Sequence, residues 1–296
     1  MPKSKPPRKK YQPKPREDRA PTGFGIPVEW EHFLQSNPKR TRAIQNLLDT
    51  CHKVFIRGGA TDQPAVRMGF YLGRICVEEF NEILLLAGNG YGVGALKILR
   101  SMYERAVTSA YLLNNVDKGD LFMDFHFVHR YKAYNHLKKI SNVAKQPTQE
   151  MIDQIKSDYE RVKDQYLEEI CKTCQKKRPQ PSWTKLDTAS MAGLVGKGYA
   201  ELYYDAFYQP TLQTHTTVAS VLTRLKQKAD GSIGFDEGPQ REHAKNAVIL
   251  AHNILLRIVD TQNKHFKLGL DTEIEQRAKE FLEAYAHRED ASKKGK

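Results

Sequence analysis

The segment Leu99–Asn115, LRSMYERAVTSAYLLNN, has the periodicity of a buried helix. At about 100° per residue, its apolar side chains cover more than half of the circumference, which predicts a helix enclosed on most sides. Arg100 and Glu104 lie one turn apart at the margin of this apolar surface. An exposed ion pair contributes only about 0.3–0.5 kcal/mol, so helix stability is a poor reason for the two charges. They are either a pair on the flank of a buried helix or the polar centre of a site.

The same helical period continues through the rest of the chain. It predicts helices at about Glu29–Ser36, Thr41–Phe55, Pro64–Ala87, Ala95–Asn114, Gly119–Asn142, Gln149–Cys174, a short helix capped by Thr188, helical turns within Tyr199–Lys228, and Pro239–Leu268 and Thr272–His287. No stretch combines strand alternation with β-branched residues, and no apolar run reaches the roughly 18 uncharged residues of a membrane span. We therefore predict an all-α bundle of about eight or nine helices, with no membrane partner.

The positive charge of the chain is concentrated at its ends. The net charge is +12, yet Met1–Arg19 alone carries eight cations against two acids, and His287–Lys296 adds +2. Residues 1–25 are rich in Pro and Lys and are predicted to form a disordered basic arm, followed by a single helical domain over 26–287 and a disordered basic tail over 288–296. Arg8, Lys9 and Lys10 are the candidate binding residues of the arm. The arm either attracts nucleic acid or another anionic partner or only increases solubility.

The cysteines and the N-terminal sequence indicate a cytoplasmic protein. No apolar segment of a secretory signal follows the first lysines, and four cysteines are too few for a disulfide framework. Cys171 and Cys174 form a CxxC motif, but no second CxxC and no nearby histidine pair would complete a zinc site. We predict no metal and no cofactor.

The predicted helix Gly119–Asn142 carries three histidines. His126 and His129 could share an ion, but at best they supply two ligands. Arg130 and His136 have the Arg-x(5)-His spacing of small helical ribonucleases of the HEPN type. Six steps along a regular helix place these two side chains about 120° apart, so the ribonuclease hypothesis requires a break in the helix between them.

His215 follows the tyrosine-rich sequence YYDAFYQPTLQ and lies on the predicted apolar stripe of its helix. It is either a core histidine whose ring nitrogens are satisfied by a carbonyl or a tyrosine hydroxyl, or a proton-transfer group with a pKa shifted by burial and by an acid such as Glu104. Tyr203 is expected nearby and is a candidate binding residue. No Ser or Cys stands in the context of a nucleophile elbow, so acyl transfer has no support.

Three runs, ILRSMYERAVTSAYLL, FMDFHFVHRYKAYNHL and YYDAFYQPTLQTHTT, resemble a widespread bacterial helical family, the domain of unknown function 5677. The resemblance covers about Phe70–Gln227. It implies that the arginine, glutamate and histidine of the family fall on Arg100, Glu104 and His215. Where the family often has Ser shortly before the histidine, this chain has Gln213 and Thr214. The resemblance implies a helical fold and a place for a site, but no activity.

Two functional hypotheses follow. The first is a binding or interaction module that recruits an anionic partner, with RNA or DNA as examples and phage defence as one setting. The second is a metal-independent hydrolase or HEPN-like ribonuclease, in which Arg100 binds the anion and His215 or His136 is the acid or base. A homodimer is compatible with both.

Overall fold

The computed structural model describes residues 26–58, 61–140, 147–169, 173 and 177–285. These residues form α1 (Pro27–Gln35), α2 (Pro38–Arg57), α3 (Pro64–Gly88), α4 (Gly92–Asn114), α5 (Gly119–Leu137), α6 (Gln149–Val162), α7 (Thr188–Val195), α8 (Lys197–Ala200), α9 (Gln209–Thr214), α10 (Val218–Leu222), α11 (Arg241–Phe266) and α12 (Asp271–Tyr285). Two short antiparallel hairpins pair β1 (Leu167–Glu169) with β2 (Lys177–Pro179) and β3 (Leu225–Gln227) with β4 (Ile233–Phe235). The all-α fold class is confirmed.

Helices α3, α4 and α11 pack against one another and form the centre of the bundle. Leu99, Met102 and Tyr103 of α4 are fully buried there, together with Phe80 of α3 and Leu255 of α11. The apolar surface of more than half the circumference of α4 is therefore enclosed as its sequence predicts. None of the helices among the described residues combines the length and the apolar character needed to cross a membrane.

The close approach of α3 and α4 depends on Gly69. A Cβ added at this position would lie 2.8 Å from the side chain of Leu113 and 3.0 Å from the backbone oxygen of Ser109. The carbonyl of Gly69 accepts hydrogen bonds from Ser109 Oγ at 2.6 Å and from Gln262 Nε2 at 3.1 Å. The missing side chain thus allows α3, α4 and α11 to share one buried polar contact.

The remaining helices cover this centre. Helix α12 packs on α2 and α11, and α1 packs on α3. Helix α5 lies on α3 with α6 against its outer side, whereas α7 and α9 pack directly on α4. The space between α5, which packs on α3, and α7, which packs on α4, is a place where a cavity can form.

The predicted helix Gln149–Cys174 is wrong in its second half. Helix α6 ends at Val162, and a 3-10 turn, Lys163–Tyr166, leads into β1. Tyr166 is buried and its hydroxyl donates to the carbonyl of Leu121 at 2.7 Å, which draws the chain out of the helix toward α5. The predicted cap is also wrong, since the side chain of Asp187, and not that of Thr188, accepts the hydrogen bond of Ser190 N at 2.7 Å.

The predicted helical turns within Tyr199–Lys228 are divided into α8, α9 and α10, which is why the helices outnumber the prediction. Between α8 and α9, the residues Tyr204–Tyr208 form a π-helical turn, in which Gln209 N donates to Tyr204 O. Pro210 has no N–H for the carbonyl of Ala206, and the wider turn carries the chain past this position.

Candidate functional site

Arg100 connects α4 to the chain around the π-helical turn. Its Nε donates a 2.9 Å hydrogen bond to Thr211 Oγ1, and its guanidinium lies 4.7 Å from the centroid of the Phe207 ring. Its Nη1 lies 3.7 Å from Glu104 Oε2, and the two side chains are 26% and 49% exposed. Arg100 is therefore engaged by three partners, whereas the carboxylate of Glu104 is half open and can accept further hydrogen bonds.

Glu104 lines a cavity of about 1200 Å³ between α4, α5, α7 and the π-helical turn. We call it the α4 cavity. Its aromatic wall consists of Phe122, Phe125, Phe127, Trp183, Tyr203 and Phe207. Polar side chains interrupt this wall at Ser101, Glu104, Arg105, Thr108, Asp124, His126, His129, Arg161, Ser182, Asp187 and Thr188. Apolar and aromatic walls with a small number of polar groups are typical of cavities that bind small organic ligands.

The α5 side of the α4 cavity carries an acid and two imidazoles. Asp124 Oδ1 lies 3.5 Å from Nη2 of Arg161, whose guanidinium lies 4.9 Å from the Phe127 ring centroid. His126 and His129 lie one turn apart on the same helix. Burial lowers the pKa of His129, with smaller contributions from Lys132 and His126. This side therefore offers a carboxylate paired with the guanidinium of Arg161 and a histidine that favours its neutral form.

The α3 side is closed by an ion pair between the partly exposed Arg105 and the buried Glu79. Arg105 Nη1 donates to the carboxylate of Glu79 and to the hydroxyl of Ser101. Glu79 is buried, and burial raises its pKa against the opposing attraction of Arg105. Because its charge is satisfied by Glu79, Arg105 acts as part of the wall and not as a free cation.

Tyr203 and Phe207 reach the α4 cavity because the π-helical turn places them on the same side. Their rings are stacked with centroids 5.4 Å apart. Beneath them, Tyr103 is fully buried, and its hydroxyl donates to the carbonyl of Tyr199 at 2.7 Å. Desolvation raises the pKa of Tyr103, so this hydroxyl remains a donor. Tyr203 is thus found near Arg100 as predicted, linked to it through Phe207.

Trp183 forms the wall opposite the π-helical turn and is held from two sides. Its ring makes edge contacts with Tyr111 at 5.9 Å and with Phe122 at 5.2 Å between centroids. The indole is buried against the protein yet lines the cavity. A ligand in the α4 cavity would therefore contact a tryptophan whose orientation is fixed.

His215 lies elsewhere. It follows the last residue of α9, is exposed, and makes no hydrogen bond or ion pair with Arg100 or Glu104. The interpretation as a core histidine is wrong, because α9 ends before the residue and turns it outward. His215 lines a separate depression of about 400 Å³ together with Lys97, Gln213, Thr216, Arg224 and Gln240. We call this the basic depression.

Arg130 and His136 lie outside the α4 cavity. Helix α5 is continuous from Gly119 to Leu137, so the break that the ribonuclease hypothesis requires between the two residues is not present. Arg130 Nη1 lies 3.4 Å from Asp158 Oδ2 of α6, and His136 is exposed. The contact of Arg130 joins two helices, and the two side chains of the motif do not converge.

The part of the chain that the structure describes contains no group of three or more His, Cys, Asp or Glu side chains close enough to hold a metal ion. Cys171 and Cys174, as well as Arg8, Lys9 and Lys10 of the basic arm, lie outside the described residues.

The sequence does not single out Trp183, Asp124 or Phe207 as site residues. Trp183 lies in the break RPQPSWTKLD, and Asp124 and Phe207 lie in segments interpreted only as helical. A tryptophan in a proline-rich connection is a signal that could have been used, because a large aromatic residue in a loop usually contacts a neighbouring element.

The fold and the cavity define an all-α protein with an aromatic cavity beside its central helix. The sequence model of the family of unknown function DUF5677 matches residues 68–233, and the chain belongs to this family. The match runs from α3 to β4 and includes every residue of the α4 cavity. No curated protein and no solved structure matches the chain.

Proposed function

We propose that this protein is a binding module whose α4 cavity receives a flat, polar ring of an anionic partner, with a nucleobase of RNA or DNA as the ligand class. The observation that carries the proposal is the aromatic wall of the α4 cavity with the open carboxylate of Glu104 at its edge. Aromatic side chains stack on bases at roughly 1–3 kcal/mol per base, and carboxylates accept hydrogen bonds from the amino groups of bases.

The distribution of charge supports the same ligand class. The α4 cavity contains Glu104, Asp124 and Asp187, and its two arginines are paired with acids. Such a wall suits the uncharged, donor-bearing edge of a base better than a phosphate. The excess of cations in Met1–Arg19 supplies the long-range attraction for the phosphates of the same partner.

Tryptophan fluorescence tests this proposal, because the chain has two tryptophans and only Trp183 lines the α4 cavity. In a Trp30→Phe variant, adenosine, cytidine, guanosine, uridine and a ten-nucleotide single-stranded RNA are titrated while the emission of Trp183 is recorded. We expect saturable quenching by at least one nucleoside and by the RNA. Glu104→Gln should weaken it, whereas Glu201→Gln, an exposed acid outside the cavity, should not. Unchanged emission at millimolar concentrations of all five ligands would refute the proposal.

The role of the basic arm is separated from that of the cavity in the same titration. Replacing Arg8, Lys9 and Lys10 with Gln in the full chain should weaken RNA binding. It should also reduce the steepness of a plot of log binding constant against log salt concentration by up to about two, since each phosphate contact contributes about 0.7. Quenching by nucleosides should stay the same. The matched control replaces Lys293, Lys294 and Lys296 at the other end of the chain. If both triple variants weaken RNA binding equally, the arm has no specific role in that binding.

The hydrolase hypothesis stays a prediction without a supporting contact. Arg100 is bound to Thr211 and Glu104, and neither His215 nor His136 lines the α4 cavity. The two histidines of the cavity are His126 and His129. Within the described part of the chain they form no hydrogen bond with a serine, threonine or cysteine side chain, and we assign them to ligand binding.

A further inference from the structure

The basic depression lies one turn of α4 before Arg100 and has a different character from the α4 cavity. Three basic side chains from separate parts of the sequence meet there, Lys97 from α4, His215 after α9 and Arg224 after α10. No carboxylate is among the residues that line it. A depression that gathers basic groups and excludes acids has a positive potential, which favours an anion.

The two strongest cations of the basic depression are not neutralised by its walls. Lys97 is exposed and forms no ion pair within the described part of the chain. The guanidinium of Arg224 lies 5.2 Å from the Phe235 ring centroid, which orients its plane. Asp236 lies near Arg224, but its Oδ2 is held 2.7 Å from Lys226 Nζ, outside the depression. Both cations therefore keep donor capacity for a ligand.

The two glutamines of the basic depression keep hydrogen-bond donors for a ligand. Gln240 Oε1 accepts from Val93 N at 3.0 Å, and Gln213 Oε1 accepts from Thr223 Oγ1 at 3.4 Å, so their amide N–H groups remain. Two further lining groups, the hydroxyls of Thr214 and Ser220, are used locally, since they donate to backbone carbonyls. The amide N–H groups of Gln213 and Gln240, together with the two cations, fit an anion with several acceptor oxygens.

The position of Gln240 is fixed by a second contact. Its backbone N donates to the carbonyl of Gly90 at 2.8 Å, while its side chain holds the N–H of Val93 at the start of α4. The amide of Gln240 is therefore held at the start of α4, the helix that carries Lys97. This arrangement reduces the ordering that a ligand would otherwise have to impose.

We propose that the basic depression is a phosphate-binding site, in which Lys97 and Arg224 bind the charge and His215, Gln213 and Gln240 donate hydrogen bonds to the remaining oxygens. Charge-assisted hydrogen bonds of this kind are the strong ones, and arginine in particular matches the geometry of a phosphate. The site goes beyond the proposed function of the α4 cavity and binds phosphate whether or not that cavity takes a base. The phosphate belongs either to a small phosphomonoester or to the backbone of a nucleic acid.

The experiment uses the full chain at low ionic strength with inorganic phosphate as the probe, and binding is followed by calorimetry. We expect saturable binding that Lys97→Met combined with Arg224→Met weakens at least about tenfold, since two charge-assisted contacts are lost. The control, Lys39→Met combined with Lys279→Met, removes the same charge from exposed positions elsewhere and should change affinity less than about threefold. Absence of phosphate binding, or equal losses in both double variants, would overturn the proposal.

Two further arms identify the source of the phosphate and separate this site from the α4 cavity. Binding of adenosine monophosphate alone indicates a phosphomonoester, whereas equal binding of a dinucleotide without terminal phosphate indicates a nucleic-acid backbone. Whichever of these two ligands binds to the wild type must bind more weakly to the variant with Lys97→Met and Arg224→Met. Quenching of Trp183 by uncharged nucleosides should be the same in that variant, so the two proposals fail independently. If the double variant does not fold, His215→Gln should weaken phosphate binding in the same direction by a smaller factor.

Discussion

Among single residues, Arg100 explains why opposite charges interrupt an apolar helix. Its guanidinium reaches Thr211, Phe207 and Glu104 at once, so it connects α4 to the chain that carries the aromatic side chains of the cavity. Glu104 contributes little to this connection, because the pair is partly exposed and its nearest atoms are 3.7 Å apart. The pair of charges thus combines a structural residue with an open acid at the cavity edge.

These unequal roles predict unequal effects on stability. Arg100→Met should lower the free energy of unfolding by about 1–2 kcal/mol, since it removes a hydrogen bond from a charged donor and a cation–π contact. Glu104→Gln should change it by less than about 0.5 kcal/mol, as expected for a partly exposed ion pair. Urea unfolding of the two variants measures both values. If Arg100→Met is neutral or stabilising, the contacts of Arg100 do not hold α9 and the π-helical turn in place.

The residues of the candidate site differ in how far the sequence could predict them. Arg100 and Glu104 stand out because charges are unusual inside an apolar stripe, and Tyr203 follows from the tyrosine-rich segment. The proline-rich context of Trp183 indicates only that the residue contacts a neighbouring element, and its place in the cavity depends on the contact with Phe122 of α5, about 60 residues away. Asp124 has no such signal in the sequence. His215 was misplaced because a local period does not reveal where a helix ends.

At the scale of helices, Gly69 determines how closely the backbones of α3 and α4 approach each other. The nearest atoms leave no room for a methyl group, and the carbonyl of Gly69 is held by Ser109 and Gln262. Overpacking of such a contact forces side chains out of their preferred rotamers or moves the helices apart. Because α4 also forms the floor of the cavity, a shift of this kind would reach the site.

A pair of glycine variants tests this contact. Gly69→Ala should destabilise the protein by about 1–3 kcal/mol through overpacking, despite the better helix propensity of Ala. Gly193→Ala is the control, because Gly193 lies within α7 and a Cβ there would meet nothing within 4 Å. It should be neutral or stabilising by up to about 1 kcal/mol. Thermal unfolding compares the two, and a stable Gly69→Ala variant would show that α3 and α4 adjust without cost.

The helices themselves were largely predictable from their period. The predicted ends of α3, α4, α11 and α12 agree with the structure within about three residues, since each has a continuous apolar stripe and a proline or glycine near an end. The prediction fails where a long-range contact overrides the period, as at Tyr166, which is drawn toward α5. Nor does the period reveal the π-helical turn before Pro210, which accommodates the missing N–H of this residue.

On the scale of the whole molecule, the core contains a titratable group that joins three helices. His252 of α11 is fully buried and packs against Phe80 of α3 and against Phe281 and Tyr285 of α12. Its Nδ1 lies 3.4 Å from the hydroxyl of Tyr285, and its Nε2 has no hydrogen-bond partner among the described residues. Desolvation lowers the pKa of His252 to about 3, so the folded protein keeps this ring neutral.

This burial predicts a loss of stability in mild acid. Below about pH 6.5 the unfolded chain binds a proton at His252, whereas the folded protein does not until about pH 3, so stability falls as pH decreases through this window. At roughly 1.4 kcal/mol per pH unit, the contribution between pH 6.5 and 4.5 is about 2–3 kcal/mol. Urea unfolding at pH 7.0 and 4.5 should therefore show a smaller acid loss in His252→Phe than in the wild type.

The comparison isolates His252, because His129 and His265, whose pKa values are also lowered by burial, remain in both proteins. Phe is the closest replacement in shape, and the surrounding rings are aromatic, so the variant should keep the contact of α11 with α3 and α12. If Phe is too large for the site, His252→Leu carries the same expectation. The prediction is contradicted if the free energy of unfolding falls equally between pH 7.0 and 4.5 in the wild type and in a folded variant. The His252 ring would then take up its proton in the folded state, which requires water to reach Nε2 through the core.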